Sequence, residues 1–268
     1  MTGLADPFDL AALDQALTGS RFAGKLHFFP SLASTNAYAM QKAESSAAEG
    51  SVYFADEQTA GRGRGAHAWS SPPGSGLYVS VLLRPQIPPA DILWLSLAAG
   101  LAVQSAILEV SGIEADLRWP NDLLIHGKKV CGILTELNAE VTRVRHAVVG
   151  IGINVGQQQF PEELRPVATS LFLAAGHAIA RQPLLLALLQ SLDREVSALT
   201  ASADIAAAAQ SVRERLEANS SWVQGKRVRV DENGGFTGTT AGLDARGFLL
   251  VKTANGVRTV LSGGVREN

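Results

Sequence analysis

The chain has 268 residues, which at about 150 residues per domain suggests one large domain and one small one. Apolar residues make up 46% and charged residues 18%, enough for a packed core and too apolar for a disordered chain. Lys and Arg number 23 against 25 Asp and Glu, a net charge of −2 that argues against a general nucleic-acid coat. A single cysteine, Cys131, excludes an intrachain disulfide and a cysteine zinc cluster, which suits a reducing cytoplasm. Near the N-terminus, Asp6, Asp9 and Asp14 stand against Arg21, so the basic region of a signal peptide is missing. The longest apolar stretch, Ile92 to Val103, is shorter than the ~18 residues that suggest a membrane span. A cytoplasmic protein with no membrane partner is expected.

Pro7 to Leu17 carries Phe8, Leu10, Leu13 and Leu17 at helical spacing, and Leu26 to Phe29 follows as a short strand. Ser34 precedes a helix running to about Ala48, and Val52 to Ala55 is the next strand. About twenty residues with seven glycines or prolines come before the strand Leu77 to Leu83, and an irregular loop of that length is usually functional or mobile. Pro88-Pro89-Ala90-Asp91 opens a long helix that ends at Gly112. Asp116 to Trp119, Leu123 to Ile125, Val130 to Leu137 and Ala147 to Val155 then predict a meandering, mostly antiparallel sheet, with a turn at His126-Gly127. Helices are expected from about Pro161 to Glu217. Beyond Trp222, four or five short strands predict a small SH3-like barrel carrying seven Lys/Arg against four Asp/Glu. The fold class is α+β, with domains expected at 1–221 and 222–268.

Within the long loop, Gly61, Gly63 and Gly65 let the backbone approach a ligand closely, and Arg62 and Arg64 add fixed positive charge with no acid adjacent in sequence. That combination suits an oxyanion, although a solvated surface loop has the same composition; it is not a Walker loop, because no Gly-Lys-Ser/Thr follows. In the hairpin, strand alternation places Lys129, Cys131 and Ile133 on one face, and a lysine on a mostly apolar face needs an anionic partner. Lysines there can equally reach out to water. Cys131 has no histidine placed to activate it and reads as a small buried residue.

Five ordered blocks carry a resemblance to a known family. They are Ser34-Thr35-Asn36; Gln58 with Gly61-Arg62-Gly63-Arg64 and Trp69; Arg118-Trp119-Pro120-Asn121-Asp122; Lys129-Val130-Cys131-Gly132-Ile133-Leu134; and Gly150-Ile151-Gly152-Ile153-Asn154-Val155. In these the chain resembles the biotin protein ligases, also called biotin–[acetyl-CoA-carboxylase] ligases, from about Leu26 to Val155 and again in the small barrel. Departures are Ala66-His67, where the family carries glycine and a basic residue, Arg118, where lysine is commoner, and Cys131 in place of a small apolar residue.

The resemblance implies a two-step reaction. Biotin and ATP give biotinyl-5′-AMP and pyrophosphate, and a lysine of a biotin carboxyl carrier domain then takes the biotinyl group. It implies Lys129, Arg62, Arg64 and Asp122 as the catalytic set, with Asp122 acting on the Mg²⁺–ATP complex or by orienting Lys129. It implies a biotin pocket from Ser34, Thr35, Asn36, Gln58, Gly61, Arg62, Gly63, Arg64, Trp69, Lys129 and Gly132. For ATP it implies Arg62, Arg64, Asn121, Lys129 and Asn154, with Mg²⁺ covering the pyrophosphate, no tightly bound prosthetic group and no assigned metal ligand. Competing readings are a lipoate or octanoate ligase or transferase of the same fold, a catalytically dead binding module, and a biotin-responsive repressor. The last needs a helix-turn-helix of roughly 60 residues, and 33 residues precede Ser34, so no DNA partner is expected. Homodimer formation through a sheet edge stays open.

Overall fold

Asp9 starts the first helix, α1 (Leu10–Ala16), because its carboxylate accepts from the Ala12 N–H, one of the donors a helix start leaves without a partner. The computed structural model describes residues 8–45, 47–65, 67–200, 205–232, 234–262 and 264–268. Ser34 does the same for α2 (Thr35–Glu44), accepting from the Ala37 N–H. This helix stops before the expected Ala48, where Ser45 closes its last turn by donating to the Lys42 carbonyl.

A seven-stranded sheet forms from β1 (Leu26–Leu32), β2 (Val52–Gln58), β3 (Gly76–Leu83), β4 (Asp116–Arg118), β5 (Asp122–Ile125), β6 (Lys128–Ala139) and β7 (Val144–Asn154). Its order is β1-β2-β3-β7-β6-β5-β4, and every pairing is antiparallel except β1 with β2. All eight residues of β3 are buried, since the sheet is covered on both faces there. Leu77, Val79, Val81 and Leu83 join the main core, whereas Leu82 packs with Ala39, Ala43, Tyr53 and Val148 beneath α2. Period-two alternation therefore sends Ser80 toward the start of α2, which matters for the site.

The other face carries α3 (Ile92–Ser111) and α5 (Arg181–Thr200), packed on each other, with α6 (Ile205–Asn219) beside them. With the short helical turn at Pro89–Asp91, α3 spans 23 residues and is apolar enough to cross a membrane by length and composition, more than the Ile92–Val103 stretch suggested. It is instead a core helix: 67% of that apolar window is buried in the protein. Each Leu or Ile fully enclosed there contributes roughly 1.5–3 kcal/mol.

The expected helix from Pro161 does not begin there. Turns run to Ala168, interrupted by Pro166, which has no N–H to continue a helix, and only Leu171–Ala175 (α4) is helical before α5. The C-terminal strands β8 (Gln224–Val230), β9 (Phe236–Leu243), β10 (Leu249–Thr253), β11 (Gly256–Val260) and β12 (Val265–Glu267) form an all-antiparallel sheet in the order β11-β10-β9-β8-β12, consistent with an SH3-like domain. Its apolar residues Val228, Val230, Leu249 and Val251 belong to the same continuous core as α3. Two indoles fasten it to the larger unit: Trp94 Nε1 donates to the Ala245 carbonyl at 3.3 Å, and Trp119 Nε1 to the Gly247 carbonyl at 2.8 Å.

Candidate active site

The long loop is more ordered than its composition suggests. Gly63 N–H donates to the His67 carbonyl, Trp69 N–H to the Gly61 carbonyl, and Arg62 bridges Ala68, so residues 61–63 and 67–69 pair as the two arms of a small hairpin. Of the three loop glycines, Gly63 thereby spends its N–H inside the loop. Ala66 lies outside the described residues. At the hairpin's end the Trp69 ring lies against β6 and β7. A Cβ built on Gly152 would sit 2.5 Å from Trp69 Nε1, and one built on Gly132 would sit 3.0 Å from its Cζ3. Gly132 and Gly152 pair across the two strands, so glycine at both positions gives the indole its seat.

Beside this seat, Ser34, Thr35, Asn36, Gln58, Arg62, Gly63, Arg64, Trp69, Asn121, Lys129 and Gly132 line one narrow cleft. Gly61 is buried below it, and Asp122 lines the wider mouth that the cleft shares with Arg118. Asn154 is not brought to the cleft. Its amide donates to the Thr169 carbonyl at 3.0 Å and accepts from Gln157, so in this structure it ties β7 to the segment beside Lys129.

The alternation expected for Lys129 fails, for a definite reason. Leu124 pairs with Lys129 and Leu123 with Cys131, leaving Val130 as an extra residue, a bulge. The extra residue moves Lys129 to the side of Gly132, whose built Cβ would lie 3.2 Å from Lys129 Nζ, while Cys131 turns fully into the core. On its other side Lys129 bonds to the 167–169 segment, its N–H to the Val167 carbonyl and its carbonyl from the Thr169 N–H. Burial pushes the Cys131 thiol far above its ordinary value, which fits the structural role read for it.

The anionic partner that Lys129 required is Asp122. Its Oδ1 lies 2.6 Å from Lys129 Nζ, its Oδ2 lies 2.6 Å from Arg118, and the Lys129 ammonium stands 5.2 Å above the Trp69 ring. Arg64 donates to Asn121 Oδ1 at 3.1 Å, and Asn121 donates to the Ile133 carbonyl. Arg62 has an acid after all: Glu136 Oε1 at 3.0 Å, delivered from β6.

Three residues were not singled out from sequence: Glu136, Ser80 and Ser71. Gln58 Oε1 accepts from the Thr35 N–H (2.9 Å) and hydroxyl (3.0 Å), and its Nε2 donates to Ser71 Oγ at 2.9 Å. The fully buried Ser80 hydroxyl lies 2.8 Å from Thr35 Oγ1 and 2.6 Å from Asn36 Oδ1. Asn36 Nδ2 then donates to the Leu134 carbonyl and to Glu136 Oε2. Gly150 leaves room for this, since any Cβ there would collide with the Asn36 amide. One end of the cleft is thus lined by the neutral side chains of Ser34, Thr35, Asn36 and Gln58, and the other by Arg62, Arg64, Arg118 and Lys129 with the Asp122 carboxylate. A neutral polar ring with a carboxylate tail fits the first, and a polyphosphate fits the second.

Residues 28–154 match the Biotin/lipoate A/B protein ligase family and residues 224–265 the Biotin protein ligase C terminal domain. The bifunctional ligase/repressor BirA of Bacillus subtilis is 40% identical over 237 residues, covering 87% of this chain and 71% of that protein. The biotin–[acetyl-CoA-carboxylase] ligase of Mycobacterium tuberculosis is 34% identical over 271 residues, covering 98% and 96%. Among solved structures, the Aquifex aeolicus biotin protein ligase in complex with biotin and ATP superposes with a TM-score of 0.78 at 31% identity, covering 91% of this chain and 100% of that one. With two family domains in order and full-length relatives of this identity, the chain belongs to the biotin protein ligase family.

Proposed function

We propose that this enzyme joins biotin to ATP as biotinyl-5′-AMP with release of pyrophosphate, then transfers the biotinyl group to a lysine of a biotin carboxyl carrier domain. The observation that carries the reading is Lys129 Nζ, held by Asp122 at 2.6 Å and standing over the Trp69 ring at the junction of the cleft's neutral and cationic ends. A carboxylate attacking a phosphate brings two anions together, and fixed positive charge at their meeting point lowers that barrier. In the first step a biotin carboxylate oxygen bonds to the α-phosphorus of ATP as the bond to pyrophosphate breaks. Lys129 neutralises the carboxylate and the oxygen that comes to bridge carbon and phosphorus, with Asp122 orienting it. Arg62 and Arg64, on the glycine-arginine loop, face the adenylate and shield the mixed anhydride from water. In the second step the carrier's lysine amine attacks the acyl carbon and AMP leaves.

Thr35, Asn36 and Gln58 face the ureido ring, which needs paired donors and acceptors in a dry setting. The triphosphate occupies the wider mouth, lined by Arg64, Arg118, Asn121 and Lys129. Mg²⁺ enters as the counter-ion of ATP: among the described residues no three His, Cys, Asp or Glu side chains stand together as a metal cage, and Mg²⁺ on nucleotides is held largely by phosphate and water. We divide the chain into a catalytic domain, 1–221, and a C-terminal domain, 222–268, and place the enzyme in the cytoplasm. The test is incubation with biotin, ATP, Mg²⁺ and a purified carrier domain, followed by mass measurement of the carrier. Gain of one biotinyl group is expected. No gain, or a preference for lipoate when the two acids compete, would refute the reading.

A further inference from the structure

The Arg118–Asp122–Lys129 array does not stand on the catalytic sheet alone. Residues 220–222, which lead from α6 into β8, are clamped onto β4. Ser220 Oγ donates to the Leu117 carbonyl at 2.6 Å, and Ser221 donates from its N–H and its hydroxyl to the two oxygens of Asp116. The clamp delivers the Trp222 ring to the guanidinium of Arg118, 5.5 Å from the ring centroid. Trp222 is buried, at 6% exposure, and its ring also lies 5.0 Å from Lys226 Nζ, which pairs with Glu267. The residue next to Arg118, Trp119, is held in turn by its bond to the Gly247 carbonyl.

We infer that Trp222 is a positioning residue for adenylate formation, acting through Arg118 and Asp122 on Lys129. Asp122 presents one oxygen to each cation, so its orientation toward Lys129 depends on where the Arg118 guanidinium lies. An arginine side chain has many rotamers, and an aromatic face beside it narrows them. With the face removed, Arg118 samples other positions, Asp122 rotates with it, and the Lys129 ammonium loses a fixed direction. Biotin's neutral contacts, at Thr35 and Gln58, belong to other elements and are unaffected.

The inference rests on the proposed activity and is tested by biotin-dependent ATP–pyrophosphate exchange on the full chain. Trp222→Leu keeps the site apolar and removes the aromatic face; kcat is expected to fall roughly three- to thirtyfold, with KM for biotin within twofold. Trp222→Phe, which retains a ring, should restore most of the rate. Trp222→Met serves the same purpose if the leucine variant does not fold. In an Arg118→Ala background, where the contact is already gone, Trp222→Leu should change the rate less than twofold. An unchanged kcat in the single variant, or an equal loss in both backgrounds, overturns the inference while leaving the proposed activity intact. Absence of exchange in the wild type overturns both.

Discussion

Ser80→Ala removes one oxygen from a fully buried position and leaves no change on the surface. The hydroxyl lies 2.8 Å from Thr35 Oγ1 and 2.6 Å from Asn36 Oδ1. Thr35 keeps its partner in Gln58, and the Asn36 amide keeps its donor bonds to Leu134 and Glu136. Asn36 Oδ1 alone is stranded, 4% exposed at its residue, and an unsatisfied buried acceptor costs about 1–3 kcal/mol. Taking about 2 kcal/mol, and about 2–4 °C per kcal/mol for a protein of this size, thermal denaturation should show a drop of about 4–8 °C. Thr35 and Asn36 form the neutral end of the cleft, so KM for biotin in pyrophosphate exchange should rise several-fold while KM for ATP stays nearly constant. A variant with unchanged melting temperature and unchanged KM for biotin would refute the argument that Ser80 fixes the biotin end.

Gly152→Ala should displace the Trp69 ring from its seat on β7; overpacking of this kind costs about 1–3 kcal/mol, visible as reduced tryptophan burial in fluorescence quenching and as weaker biotin binding by calorimetry. Cys131 should resist thiol reagents in the native protein and react fully in denaturant, because burial both encloses the thiol and disfavours its thiolate; rapid native labelling would contradict the packing described. His146 is buried on β7 with its pKa depressed below 6.5, chiefly by desolvation. The folded state therefore disfavours the protonated ring, so stability is full above pH 6.5 and declines as pH falls below it. Urea titrations of the wild type and His146→Gln over that range should show the decline reduced in the variant.

The five blocks that mark the family were legible because each uses residue types with strong local chemistry: a capping serine, a glycine-arginine run, a lysine hairpin. What escaped the sequence was set by register and by distant partners. Strand alternation misplaced Lys129 because one extra residue, Val130, shifts the phase of β6, and a bulge has no marker in a run such as Lys-Lys-Val-Cys-Gly. Arg62 looked unpaired because Glu136 lies 74 positions later in sequence and meets it only through the sheet. Ser80 passed as an ordinary strand residue; its even phase in β3 and its lack of an apolar side chain were the available signals. Asn154 was read from its block as a ligand residue, but its amide holds the segment from Thr169. The grip of the C-terminal unit on Trp119 and Arg118 depends on two elements more than 100 residues apart in sequence, which no local pattern records.

Lys129 stands where the biotin carboxylate and the α-phosphate are proposed to meet. Removing its ammonium leaves Asp122 paired with Arg118 at 2.6 Å, so Lys129→Ala should fold and melt close to the wild type. Losing one fixed charge at the point where carboxylate meets phosphate costs on the order of a hundred- to a thousandfold in rate. Biotin-dependent ATP–pyrophosphate exchange should be robust in the wild type and fall by at least that factor in the variant. A folded Lys129→Ala protein that exchanges pyrophosphate at nearly the wild-type rate would contradict the account.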